Sequence, residues 1–174
     1  MHPYRDWPFL SLPHHPNFSA AWEIFAHGTL GLLVVAPIVW ASSRRIPFGV
    51  LAFVAGFALD IDHAVAARSL SPRAMEDLGH RPPTHSLTFA LVLALLGLLI
   101  THRKLIAWSV FAIVVSHLLF DAAGDGVYWL YPLKRPDSIP WLLCPIGIAA
   151  LFAISSLLVQ EGRSLPNVDP VDQH

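Results

Sequence analysis

Apolar runs of about 18 to 22 residues recur along the chain, each long enough to cross a bilayer as a helix, and polar or aromatic breaks separate them. The first runs from about Ala20 to Ala41, with Ser19 placed to cap it, Trp22 and Trp40 at interfacial depth, and Arg44 and Arg45 closing it. The second begins near Ile46 and continues through Phe57 and Leu59 into the charged series from Asp60 to His63. A polar stretch from Ala66 to Pro83 follows, and its Pro82-Pro83 pair stops any helix before Thr84. The third run covers about Thr84 to Thr101, and the fourth about Leu105 to Ala123, with Arg103 and Lys104 in the tight turn of the resulting hairpin. Gly124 to Pro140 is an aromatic connection suited to the headgroup zone, and the last run spans about Trp141 to Val159. Pro145 and Gly147 lie inside it, which neighbouring helices can compensate.

These runs predict an all-α fold, a polytopic membrane helix bundle of about five transmembrane helices. The predicted organisation is an extramembrane segment over 1–19, a single membrane-embedded domain over 20–159, and a flexible polar tail over 160–174. The N-terminal segment lacks the basic start, apolar core and small-residue cleavage site of a signal peptide. Its His2, His14 and His15, scattered among prolines, read as solvated surface groups.

Composition agrees with a membrane class: 55% of the residues are hydrophobic, 13% are charged, and the mean hydropathy is +0.55. A net charge of -1 gives no electrostatic basis for nucleic acid as a partner, leaving the lipid bilayer and a lipid or lipid-linked substrate. The single cysteine, Cys144, sits inside an apolar run and excludes both an intramolecular disulfide and a thiolate-rich metal site. Any metal must be held by nitrogen and oxygen. Both tight turns, with Arg44-Arg45 and Arg103-Lys104, are basic and lack acids, which favours an N-terminus outside the membrane.

Several polar groups interrupt this apolar background: His27 in the first run, Asp60, Asp62 and His63 ending the second, His80-Arg81 and His85 around the start of the third, and His117 with Asp121 in the fourth. Alone, each has an ordinary structural role, as a hydrogen-bonded histidine or a solvated helix end. Alternating helix direction, however, puts the starts of odd-numbered spans beside the ends of even-numbered ones, so all of these clusters reach one face. Burying unpaired ionisable groups costs about 2.5 kcal/mol or more for a central Asp, a cost that a shared cation offsets.

His117 and Asp121, four apart, share a helical face as an imidazole and a carboxylate; Asp60 and His63, three apart, can do the same. Asp60 and Asp62 cannot share a face of a regular helix. Either the helix ends there or Asp62 has another role, such as orienting a ligand histidine. His27, Asp60, Asp62, His63, His85, His117 and Asp121 are therefore the candidate ligands for one or two divalent ions, zinc first, with manganese or iron also suited to these donors. His80 and Arg81 are the candidate catalytic groups, Arg81 as an oxyanion binder or, in the structural reading, a snorkelling side chain.

The series Leu59-Asp60-Ile61-Asp62-His63, Gly79-His80-Arg81-Pro82-Pro83-Thr84-His85-Ser86 and Ser116-His117-Leu118-Leu119-Phe120-Asp121 resembles the YdjM family of membrane-bound metal-dependent hydrolases. The resemblance extends from His27 through the Pro132 region and implies a polytopic protein of the bacterial inner membrane with a metal-dependent hydrolase site. The chain departs from it at Gly124, where many members have a threonine. The His-x-x-x-Asp pair is also similar to one in zinc-dependent phospholipase C, which by analogy implies phosphoester chemistry on a phospholipid or lipid-linked substrate. Two other readings stay open: a divalent-cation transporter, since intramembrane His and Asp line ion paths, and a non-catalytic scaffold whose polar cluster locks helices together.

Overall fold

A computed structural model describes residues 16–71, 74–75, 78, 82–124, 126–132 and 138–164. Among them the elements are α1 (Pro16–Ala41), α2 (Arg45–Ala58), α3 (Ile61–Ala67), α4 (Leu87–Thr101), α5 (Lys104–Gly124) and α6 (Leu143–Ser164). Among the described residues four segments are long and apolar enough to cross a membrane: Trp22–Ala41, Arg45–Ala67, Lys104–Ala123 and Leu143–Gly162. The second of these runs through α2 and α3, which are separated by a tightened turn at Leu59 and Asp60. The protein is a helical membrane bundle.

α4 is shorter than the apolar run that predicts it. The third span was expected from Thr84, but the helix starts at Leu87 and has 15 residues, about 22 Å at 1.5 Å per residue and short of a roughly 30 Å hydrocarbon core. Local chemistry explains the late start. Ser86 is extended (φ -141, ψ 150) and its hydroxyl accepts the Phe89 N–H at 3.2 Å, so Ser86 caps the helix rather than joining it. The same hydroxyl donates to the Pro83 carbonyl at 2.7 Å, and the His85 N–H donates to the Pro82 carbonyl at 2.9 Å, closing a turn after the two prolines. Ser86 also pairs in parallel with the backbone of Tyr128. Protein covers much of this non-helical backbone, as a membrane protein requires: Pro82, His85 and Ser86 are buried, and Pro83 is exposed.

α5 is the centre of the bundle, touching α1, α2, α4 and α6, while α1 packs on α2 and α6. One apolar core joins Val34 and Val35 of α1, Ala52 of α2, Ala112 and Ile113 of α5, and Ile148 and Leu151 of α6. A second joins Ala90 of α4 to Val114, Leu118 and Ala122 of α5 and to Val127 beyond it. Outward-facing Val50, Leu51, Val54, Ile61 and Val65 form one exposed apolar stripe down α2 and α3, as a lipid-facing surface requires. Arg45 lies over the Trp40 ring at 5.0 Å, a cation–π contact at the basic turn between α1 and α2.

Small residues let α1 and α2 approach closely. A Cβ built on Gly31 would lie 2.9 Å from the Gly56 Cα, and one on Gly56 would collide with the His27 carbonyl oxygen. Ser155 of α6 ties three helices together, donating to the Val34 carbonyl at 2.7 Å and accepting from Trp108 Nε1 at 2.8 Å.

Candidate metal centre

The first half of α1, the turn before α4, the junction of α2 with α3 and the last turns of α5 come together toward one end of the bundle. There His27, His85, His117 and Asp121 are buried, while Asp60, Asp62 and His63 form a partly accessible edge. His117 and Asp121, one helical turn apart on α5, turn toward each other with Nε2 and Oδ2 at 3.3 Å. His85 Nε2 lies 3.1 Å from His117 Nε2 and 3.4 Å from Asp121 Oδ2. Asp60 Oδ1 closes the group at 3.4 Å from His117 Nε2 and 4.0 Å from His85 Nε2.

The groups that hold these rings decide which atoms face inward. His117 Nδ1 lies 2.8 Å from the Gly56 carbonyl oxygen, which can only accept; a hydrogen bond there requires a proton on Nδ1, and in the neutral ring leaves Nε2 as an acceptor. His85 Nδ1 lies 3.1 Å from Asp62 Oδ2, and an ionised carboxylate makes the same demand. In the neutral rings, two imidazole lone pairs thus face the Asp60 and Asp121 carboxylates. In tetrahedral coordination with bonds of about 2.0–2.1 Å, ligand atoms stand about 3.3–3.4 Å apart. The separations of 3.1 to 3.4 Å lie near that spacing, the 4.0 Å between His85 Nε2 and Asp60 Oδ1 is wider, and these nitrogen and oxygen donors could hold a divalent cation.

His27 stands beside this cage. Its Nδ1 is 2.9 Å from Asp60 Oδ2, its ring stacks against His117 at a centroid separation of 3.7 Å, and Phe120 meets it edge-on at 5.1 Å. Its Nε2 is buried without a hydrogen-bond partner, 3.4 Å from Asp121 Oδ1. Asp60 and Asp62 point to different partners, because α2 stops at Ala58 and the chain turns before α3. Asp62 faces His85, the Thr84 hydroxyl and His63, whose Nδ1 is 3.0 Å from Asp62 Oδ1. Among the described residues, three sets of donor atoms are close enough to hold an ion: His27, His117 and Asp121; Asp60, His85 and His117; and Asp62, His63 and His85.

Residues 23–168 match the family described as YdjM inner membrane protein. The chain belongs to the YdjM family. This member of the family is 30% identical to transmembrane protein 267 of Danio rerio over 164 residues, covering 87% of the chain and 73% of that relative. It is also similar to transmembrane protein 267 of Xenopus laevis (29% identity, 85% and 72% coverage) and of Mus musculus (26% identity, 87% and 74% coverage). No solved structure matches it.

Of the site residues expected from the sequence, His27, Asp60, Asp62, His63, His85, His117 and Asp121 come together here. The two candidate catalytic groups, His80 and Arg81, lie outside the described residues. The sequence reading missed Gly56 altogether and placed Thr84 in the motif without its pairing to Asp62. Thr84 stands next to His85, and its hydroxyl beside the helix start was an available signal; nothing in the apolar run around Gly56 marks its carbonyl.

Proposed function

We propose that this protein is a metal-dependent hydrolase of a bacterial inner membrane, acting at the membrane surface on a phospholipid or lipid-linked phosphoester. The observation that supports this most is the cluster itself: His85 Nε2, His117 Nε2, Asp60 Oδ1 and Asp121 Oδ2 approach one another at 3.1 to 4.0 Å, an arrangement that a cation would stabilise. These four residues would hold the ion, with His27 Nε2 within reach as a fifth donor. One zinc-type ion is favoured over two, since the set containing Asp62 and His63 shares His85, whose Nδ1 is already engaged by Asp62.

A bound divalent ion would supply Lewis acidity toward a phosphoryl oxygen and make a coordinated water more acidic. The chain's own residues do the rest. Asp62 and Gly56 fix the two imidazoles. Access is along the edge formed by Asp60, Asp62 and His63, and beside it Ile61 and Val65 are exposed in the lipid-facing stripe. A headgroup at that edge would therefore keep its acyl chains against apolar protein surface. Arg81 and His80 keep the roles their chemistry suggests, oxyanion binding and proton transfer.

The test is release of a phosphorylated or free headgroup from mixed-phospholipid vesicles by the purified, zinc-loaded protein. Wild type is expected to turn lipid over, and Asp121→Ala to be inactive. A wild type that binds zinc stoichiometrically but cleaves none of the lipids would sink the hydrolase reading and leave the metal site standing.

A further inference from the structure

The geometry points to Gly56 as the positioning residue of the site: its backbone carbonyl, released from its own helix, fixes the tautomer and aim of His117. In a regular α-helix the Gly56 carbonyl would accept the Asp60 N–H. Here the Asp60 N–H donates instead to Phe57 at 3.0 Å, and the turn stays tight beyond it, with the Asp62 N–H on Leu59 at 3.0 Å and the His63 N–H on Asp60 at 3.2 Å. The end of α2 thus tightens by one residue, and the Gly56 oxygen is left to accept His117 Nδ1–H at 2.8 Å.

Three features make this a built arrangement. Gly56 and His117 are both buried, so no water competes for the carbonyl. The missing side chain is required, since a Cβ at Gly56 would strike the His27 carbonyl oxygen and lie 3.0 Å from the Gly28 Cα. The same tightened turn also separates Asp60, which faces His27 and His117, from Asp62, which faces His85. One local change in hydrogen bonding therefore sets a histidine tautomer and divides two neighbouring carboxylates between partners. The consequence for a bound ion rests on the metal reading above, whereas the tautomer does not.

A Gly56→Ala change risks losing the helix packing, so the test alters the carbonyl alone. Replacing Phe57 with its α-hydroxy analogue converts the Gly56–Phe57 amide to an ester and weakens the Gly56 oxygen as an acceptor. The same replacement at Ala55 removes an equivalent helix hydrogen bond without touching His117 and serves as the control. The full-length metal-free protein is read by ¹⁵N NMR of histidine, with His117 assigned by difference from His117→Gln. His117 is expected to be protonated at Nδ1 in wild type and in the Ala55 ester, and to shift toward a mixture of tautomers in the Phe57 ester. Identical His117 signals in the two esters, or Nε2 protonation in wild type, would overturn the inference. Titration with Co²⁺ alone then tests the consequence, with a dissociation constant raised about 10- to 100-fold in the Phe57 ester relative to the control. Wild type that binds no Co²⁺ yet shows the expected tautomers would sink the metal reading while upholding the role of Gly56 in orienting His117.

Discussion

His85 and His117 meet nitrogen to nitrogen, their Nε2 atoms 3.1 Å apart, while each turns its Nδ1 outward to an acceptor, Asp62 for one and Gly56 for the other. With both protons committed outward, the inner pair cannot hydrogen-bond to each other. The contact is repulsive unless a cation or an added proton lies between them. An ordinary polar lock between helices would instead pair donors with acceptors, and this contrast is what supports the proposed metal site.

Replacing carboxylates inside and outside the cage should therefore have different consequences. Asp121→Ala removes a donor atom and is expected to abolish stoichiometric Zn²⁺ binding. Asp62→Asn keeps the shape but weakens the acceptor for His85 Nδ1–H, and is expected to lower affinity about 10- to 100-fold. Isothermal titration of the purified variants checks both. Equal affinities in wild type and Asp121→Ala would refute the cage as the binding site.

Metal should also stabilise the bundle, because the donors come from α1, α5, the end of α2 and the turn before α4. Saturation at about 100 times the dissociation constant is worth about 2.7 kcal/mol by mass action. Thermal unfolding in detergent is expected to shift upward when Zn²⁺ is added, to fall back with a chelator, and to be insensitive to both in His117→Ala. A chelator-insensitive wild type purified with metal would contradict this.

The apolar runs were readable because a bilayer imposes a length that few other structures share, and the fold followed from them. The meeting of His27, His85, His117 and Asp121 was readable too, because helix direction alternates and His117 with Asp121 repeats at one turn. The start of α4 was not: Ser86 competes for the helix end through its hydroxyl, and its capping bond outweighs the apolar run that continues across it. The role of Gly56 was hidden for a different reason. A carbonyl carries no residue identity, and the hydrogen-bond shift that frees it is a property of the backbone. For Asp62 the sequence left two readings, a helix end or an orienting carboxylate; both features occur here, since α2 ends before it and its Oδ2 faces His85.

Ser155 provides a contrast within the same membrane domain. Its hydroxyl joins the Val34 carbonyl to Trp108 Nε1 through donor–acceptor pairs, the pattern of a purely structural lock. Ser155→Ala is expected to cost about 0.6 kcal/mol, and at most about 1.7, the range for interhelical hydrogen bonds in membranes. Zn²⁺ affinity should not change. A large loss of affinity in Ser155→Ala would mean that the cage depends on the whole bundle rather than on its own end.

The arrangement of helix ends also makes a claim about sidedness. The turns between α1 and α2 and between α4 and α5 lie at the end of the bundle away from the cage, and the chain after α3 lies at the cage end. Ser43, His102 and Leu70 are exposed markers of these three places. Cys144 is the only native cysteine, so Cys144→Ala gives a background for single cysteines at each marker. With the N-terminus outside, a membrane-impermeant maleimide is expected to label Leu70→Cys in intact cells, and Ser43→Cys and His102→Cys only after permeabilisation. The reverse pattern would invert the protein and put the site on the inner face without changing its chemistry. Labelling of Ser43→Cys and His102→Cys from opposite sides would be more serious, because the clusters could then no longer share one face.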